Sequence, residues 1–375
     1  MIVRQLERTI KENIKPGFIN VIYGPRRVGK TVLLEKLISK TPKDKLLFLN
    51  GDTKEAREAL SSTSEVALSE LVEKVSVVAI DEAQRIPDIG LSLKILIDKF
   101  PNKTFYVTGS SSLSLSRGVR EPLTGRSIKY RLYPLSSPEL ALNLQSFQKT
   151  YLLENLLIFG GYPYLLNLKT SNEKRAYLKS IIEDYLFRDI ALLKDISSPE
   201  VLLKLATLLA FQIGSIMSLN ELSRNLGIDV KTVKRYISLM KLGFIIFEIS
   251  SFSKNPRKEL AKSKKYYFWD LGIRNALTDQ FLPLDSRTDV GALWENFLAI
   301  ERIKKNEYAK IQKEYYFWRT YEKAEIDWIE LFEGKISAFE FKWRKTKNHT
   351  PKAFLKTYNE SVRVVSTENY LDFVL

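Results

Sequence analysis

"FINVIYGPRRVGKTVLLEKL", residues 18–37, joins a short β-branched run, a loop bounded by glycines and a stretch with helical apolar spacing. Inside it, "GPRRVGKT" at 24–31 fits G-x-x-x-x-G-K-[ST]. The flanking order gives the match its weight, because a phosphate-cradling loop needs a strand before it and a helix after it. Gly24 and Gly29 let the backbone curl so that its N–H groups face phosphate oxygens. The following helix directs its positive end at the same point. Lys30 then reaches the β- and γ-phosphates, and the Thr31 hydroxyl ligates Mg²⁺. Gly24, Pro25, Arg26, Arg27, Val28, Gly29, Lys30, Thr31 and Val32 form the candidate nucleotide-binding set, with ATP and Mg²⁺ as the expected cofactors.

Further apolar runs surround this stretch: "LLFLN" (46–50), "VSVVAID" (75–81), "FYVTGS" (105–110) and "IKYRLYPL" (128–135). Helical patterns such as "GLSLKILIDKF" separate most of them, which is the signature of an α/β layer architecture with a parallel sheet. The run "VVAIDEAQ" (77–84) ends a buried strand in Asp81, placed to hold Mg²⁺ through water. Glu82 follows where a general base orients the attacking water, and an acidic pair capping the next helix is the competing reading. Thr108 and Ser110, at the end of the next strand, are candidates for sensing the γ-phosphate, and a simple turn is the competing reading.

The composition narrows the chemistry. The chain has 375 residues, a formal charge of +15, no cysteine and one histidine, His349. Disulfides, thiol catalysis and zinc fingers are excluded, and a metal site must rest on carboxylates, phosphates and water. The positive excess points to a polyanionic partner, DNA first. "LATLLAFQIGSIMSL" (205–219) is too short to span a bilayer and is broken by Gln212 and Gly214, so a cytoplasmic protein without membrane association is expected.

From 139 to 212 the pattern is helical and reads as a lid. In "MSLNELSRNLGIDVKTVKRYISLMKLGFIIFEIS", Ser218 caps a first helix, Gly227 makes a tight turn, and a second helix leads into a strand. A basic linker and the strand "YYFWD" complete the order of a winged helix. Lys231, Thr232, Lys234 and Arg235 lie early on its second helix, and Lys254, Arg257, Lys258, Lys262, Lys264 and Lys265 populate the wing. As DNA contacts they would mostly meet phosphate. A solvated lysine-rich loop on a packing module is the alternative.

Residues 289–375 read as helix, three strands, helix and strand. "EIDWIELFEGKISAFEFKW" (325–343) places Asp327 on one strand, with Glu340 and Lys342 on one face of the next. Two facing carboxylates share Mg²⁺ in such a layout, and a lysine orients water or stabilises phosphorane charge. A cross-strand ion-pair set on an exposed face is the other reading.

The motifs together resemble known families. "GPRRVGKTVLL", "IDEAQRI", "TGSSS", "LTGRSIKYRLYPLSSPEL" and "GGYP" look like a prokaryotic branch of the AAA-type P-loop ATPases with a nuclease-like C-terminal domain. The resemblance implies a P-loop core over 1–138, a helical lid over 139–212, a winged helix over 213–285 and a PD-(D/E)xK-like domain over 286–375. It makes Arg126 a candidate arginine finger or sensor, or else an Arg paired with a nearby carboxylate. Pro163 of "GGYP" is placed near the nucleotide base, or else in a plain helix-ending turn. Glu295 matches the nuclease superfamily's helical acid, beside Asp327, Glu340 and Lys342. The implied activity is ATP hydrolysis with DNA as partner. A signalling switch acting on a protein partner and an ATP-regulated nuclease are the rivals, and oligomerisation stays open.

Overall fold

The apolar runs flanking the phosphate loop become the strands β1 (Ile19–Tyr23), β2 (Leu46–Asn50), β3 (Val77–Asp81), β4 (Thr104–Gly109) and β5 (Ser127–Arg131). All pair in parallel, in the order β2-β3-β4-β1-β5. A parallel sheet must be covered on both faces, which is why its strands read as continuous apolar runs. Val21, Ile80, Phe105 and Val107 pack with Leu93, Leu96 and Ile97 of the helix Ile89–Lys99 in one core cluster. The register aligns Tyr23 with Gly109 and Asn50 with Asp81, so the carboxyl ends of these strands share one edge. That edge is where ligands bind in open α/β sheets.

The structure is a computed structural model that describes residues 2–110, 123–141, 145–184, 198–253, 263–320 and 322–375. It divides into two compact units, Met1–Tyr133 and Pro134–Leu375. The first contains the parallel sheet.

The second unit starts with the helices Ser137–Ala141, Ser146–Phe159, Ser171–Ile182 and Pro199–Phe211. The later helix Leu271–Thr278 packs among them. Its Arg274 Nε donates to the Ala210 carbonyl at 2.8 Å. Asn275 Nδ2 donates to the carbonyls of Leu157 and Ile158 at 2.9 and 2.8 Å. These bonds satisfy buried helix-end carbonyls that have no partner of their own within the helix.

Between these elements, β6 (Ile216–Met217) leads into the helix Leu219–Leu226, whose N-cap Ser218 accepts from the Glu221 N–H. Gly227 ends it at φ 65°, and Asp229 caps the helix Val230–Leu242. β7 (Ile246–Ser251) and β8 (Lys264–Phe268) then form an antiparallel pair. The wing positions Lys254, Arg257, Lys258 and Lys262 lie outside the described residues.

The C-terminal elements follow as the helix Val290–Tyr308, β9 (Glu314–Arg319), β10 (Glu325–Phe332), β11 (Lys335–Phe341), the helix Lys352–Tyr358 and β12 (Val362–Val365). A last helix, Tyr370–Val374, follows β12. Sequence alone gives no sign that β9 pairs in parallel with β7, through Ser250↔Tyr316 and Ser251↔Phe317. That pairing makes one seven-stranded mixed sheet, β12-β11-β10-β9-β7-β8-β6. Among the described residues no helix is long and apolar enough to cross a membrane.

Candidate nucleotide site and carboxylate cluster

The loop after β1 takes the conformation its glycines permit. Gly29 lies at φ 92° as the N-cap of the helix Lys30–Ile38. Gly24 approaches the chain just past β5 so closely that a Cβ there would sit 2.2 Å from the Leu132 carbonyl oxygen. Lys30 is buried, and its ammonium donates to the carbonyls of Gly24 and Pro25 at 3.2 and 2.8 Å. Arg4, absent from the sequence-based candidates, holds the loop from behind. Its guanidinium donates to the Val28 carbonyl at 2.9 Å and to the Tyr133 carbonyl at 2.6 Å. Val32 is 48% exposed on the first turn of the helix.

Asp81 joins this loop at the carboxyl edge. The Thr31 hydroxyl donates to Asp81 Oδ2 at 2.8 Å, and the Thr108 hydroxyl donates to Asp81 Oδ1. Thr108 also accepts from the Glu82 N–H at 3.2 Å. Glu82 is held in the left-handed region at φ 49°, an uncommon conformation for a residue with a side chain. Gln84, another residue the sequence reading missed, donates to Glu82 Oε2 and accepts from the Ser110 N–H at 3.2 Å. Thr31 of the helix after the loop thus meets Asp81 from the end of β3 and, through Asp81, Thr108 from the end of β4, with Glu82 beside them. The adjacent hydroxyl and carboxylate suit a hard cation, and the loop glycines leave room for phosphate oxygens.

Arg126 does not join them. It immediately precedes β5, whose first residue, Ser127, pairs with Ile19, the first residue of β1. The phosphate loop leaves the opposite end of β1, so Arg126 lies across the length of the sheet, and it pairs instead with Asp98. That contact is the carboxylate pairing given as the alternative to a sensor, and its place follows from parallel register, which puts the start of one strand beside the start of its neighbour. Pro163 belongs to the second unit, where it heads the 3-10 turn Pro163–Asn167 just after Gly160 ends a helix at φ 75°.

The second helix of the expected DNA module splits by face. Val233, Tyr236, Ile237 and Met240 are buried, while Lys231, Lys234 and Arg235 are exposed at i, i+3 and i+4 spacing. The Thr232 hydroxyl is engaged in the helix cap, donating to Asp229 at 2.7 Å. Two wing lysines go elsewhere. Lys264 pairs with Glu248 at 2.7 Å, and Lys265 is buried at 1% exposure. The expectation that Lys265 faces solvent or DNA is corrected: side chains alternate along β8, and its neighbours on the inner face are carboxylates.

Those carboxylates include residues singled out from the C-terminal sequence. A register shift between Ile326 and Ile329 re-aims the strand at Asp327, whose Oδ2 accepts from the Phe341 N–H at 2.8 Å. The β10–β11 register, continued by one pair, sets Asp327 opposite Glu340. Lys342 is bonded to Glu340 at 2.7 Å. Burial, and then the neighbouring Glu295 carboxylate, push the Asp327 carboxyl up to about 7. Lys265, which sequence reading placed on the wing, enters from β8 and meets Glu295 at 3.0 Å and Glu325 at 2.6 Å. Tyr267 donates to the same Glu295 oxygen at 2.6 Å. Burial opposes the charge on Lys265, but Glu295, Asp327 and Glu325 outweigh it and hold its pKa above the usual lysine range. The four candidate nuclease residues are brought into one neighbourhood with an ammonium among them. Among the described residues no group of three Asp, Glu, His or Cys side chains is arranged to hold a metal ion.

Comparison with known proteins agrees with the first unit's geometry. Residues 17–141 match the model of an AAA domain, AAA_14. Residues 128–284 match a domain of unknown function, DUF8612, and residues 290–372 match another, DUF4143. The chain is 28% identical over 331 residues to the uncharacterized protein Rv2008c of Mycobacterium tuberculosis, covering 87% of this chain and 70% of that protein. It is 25% identical over 351 residues to the uncharacterized protein MJ1544 of Methanocaldococcus jannaschii, covering 88% and 76%. A solved structure of two coordinating Pif1 helicases unwinding forked double-stranded DNA aligns at 14% identity over 48% of this chain and 51% of that one. Its TM-score of 0.25 is too low to carry an argument. Parallel sheet, phosphate loop and family match together define an AAA-type P-loop domain, followed by regions similar to two domains of unknown function.

Proposed function

We propose that the protein binds and hydrolyses ATP at the Lys30–Thr31–Asp81 centre and contacts DNA through the exposed face of the helix Val230–Leu242. The observation that carries the reading is the hydrogen-bonded set Thr31–Asp81–Thr108 beside a lysine laid along the phosphate loop. Bound Mg²⁺ would supply positive charge to the phosphate oxygens during transfer. Thr31 and Asp81 would hold it. Lys30 exchanges the loop carbonyls for the outer phosphates, a stronger charge-assisted pairing. Glu82, fixed by Gln84, orients the attacking water.

For DNA, Lys231, Lys234 and Arg235 supply three cations on one helical face of a chain with formal charge +15. Such contacts read phosphate and position the protein without strong sequence preference. The test has two arms. Lys30→Ala should abolish ATP turnover, and turnover at the parent rate would overturn the phosphate-loop assignment. Binding of labelled duplex and single-stranded DNA, followed by anisotropy across salt, should weaken as salt rises. Replacing all three cations by alanine should flatten the log–log slope by about 2–3. An unchanged slope would sink the DNA arm and favour a protein partner.

A further inference from the structure

The carboxylate cluster of the second unit already contains a cation. We infer that Lys265 is its resident positive charge, so that this centre is closed by an ammonium and takes up no divalent metal. The inference does not rest on the ATPase reading.

Three observations support it. First, the Lys265 side chain is 2% exposed and reaches both Glu295 and Glu325. Its Nζ also stands 5.4 Å from the centre of the Phe317 ring, so one side of the ammonium is walled by an aromatic face. Second, the lysine has no route of retreat. Lys265 pairs with Ile216 of β6 on one side and Ile249 of β7 on the other, so its backbone is fixed inside the sheet. Third, one oxygen of each of three carboxylates is already engaged. One Glu295 oxygen accepts from both Lys265 and Tyr267, Asp327 Oδ2 takes the Phe341 N–H, and Glu340 is bonded to Lys342. Gly214, at φ 72°, lies against the Glu295 carboxylate so closely that a Cβ there would be 3.2 Å from it. A hard divalent ion wants about six oxygens converging on one point. An ammonium needs only acceptors for three directed N–H bonds. Two carboxylates already meet the Lys265 ammonium, whereas no group of three Asp, Glu, His or Cys side chains among the described residues is arranged around a metal point.

The consequence is a staple. Lys265 ties the helix Val290–Tyr308, through Glu295, to β10, through Glu325, from a strand of the preceding hairpin.

The test uses the full chain without nucleotide and Mn²⁺ as the probe. Mn²⁺ binding, read by electron paramagnetic resonance, is compared between the parent and Asp327→Asn, which share an unaltered phosphate loop. Identical titrations are expected. One Mn²⁺ bound by the parent and lost in Asp327→Asn overturns the inference. A second variant, Lys265→Met, removes the charge at similar volume. Uptake of Mn²⁺ by Lys265→Met beyond that of the parent is the positive result, and Mn²⁺ that both bind and that Asp327→Asn removes from each overturns it. The parent comparison decides the question even where Lys265→Met does not fold. Mn²⁺-dependent cleavage of linear, single-stranded or branched DNA that disappears in Asp327→Asn would likewise overturn it.

Discussion

Replacing Arg4 by alanine tests how the phosphate loop is held. Arg4 is 7% exposed, and its guanidinium donates charge-assisted hydrogen bonds at 2.9 Å to the Val28 carbonyl and 2.6 Å to the Tyr133 carbonyl. Bonds of this kind contribute roughly 1.5–3 kcal/mol each. The first restrains the loop; the second anchors the chain leaving β5. Loss of the Val28 bond should therefore release about 1.5–3 kcal/mol of restraint on the nucleotide-binding conformation. If binding needs that conformation, the Kd for a fluorescent ADP analogue rises by roughly 10- to 100-fold, since each tenfold corresponds to about 1.4 kcal/mol. Arg4→Lys retains the charge and one of these two bonds at most, so it should fall between parent and alanine. Urea melts on the same samples separate loop from fold. A lower midpoint with nucleotide affinity unchanged within about twofold would refute the reasoning and leave Arg4 a stabiliser of the fold alone.

Gly24→Ala and Gly29→Ala should both weaken nucleotide binding for different reasons. A Cβ at Gly24 meets the Leu132 backbone oxygen at 2.2 Å, whereas at Gly29 it meets nothing within 4 Å among the described residues and the φ of 92° is what opposes it. Thermal melts should show the larger loss at Gly24, and equal losses would count against the close-approach account. Glu248, paired with Lys241 at 2.5 Å and Lys264 at 2.7 Å, supplies a pH prediction. Burial acts to raise its pKa, but the two lysines outweigh that and hold it below the ordinary value. A depressed carboxylate stabilises the fold above its unfolded pKa, and that contribution is lost as pH falls through the folded value. Glu248→Gln should thus cost about 1 kcal/mol near pH 7, discounted because both lysines are partly exposed. Denaturant midpoints of parent and variant should converge in acid, below the ordinary glutamate range; a gap constant with pH would contradict the pairing. Glu330, 1% exposed, is held by Arg302 at 2.5 Å and Lys313 at 2.7 Å. Arg302→Ala should destabilise by about 3 kcal/mol, as expected when one partner of a buried pair is removed. A loss below about 0.5 kcal/mol in urea melts would show that the charge is solvated.

What local sequence determined is considerable. The span from Phe18 to Leu37 is strand, glycine loop and helix in any context that lets it fold, because glycine freedom, helix spacing and β-branched content all act within a few residues. The capping signal at Ser218 and the turn at Gly227 are local in the same sense, and the structure shows both. Asp81 at a strand end was legible from the apolar run before it. Contacts set by long-range pairing were not. Nothing near Arg4 says that it meets Val28, and nothing near Gln84 says that it reaches Ser110. Arg126 was placed by motif, yet its distance from the loop follows from strand register, which is a property of two segments at once. Lys265 is the sharpest case. Its neighbours Lys262, Ser263 and Lys264 make it read as one more solvated cation in a basic run. Only the pairing of β8 between β6 and β7, and of β7 with β9, turns it inward onto Glu295 and Glu325. A one-residue step along a strand exchanges inside for outside, and the choice is made by the whole sheet.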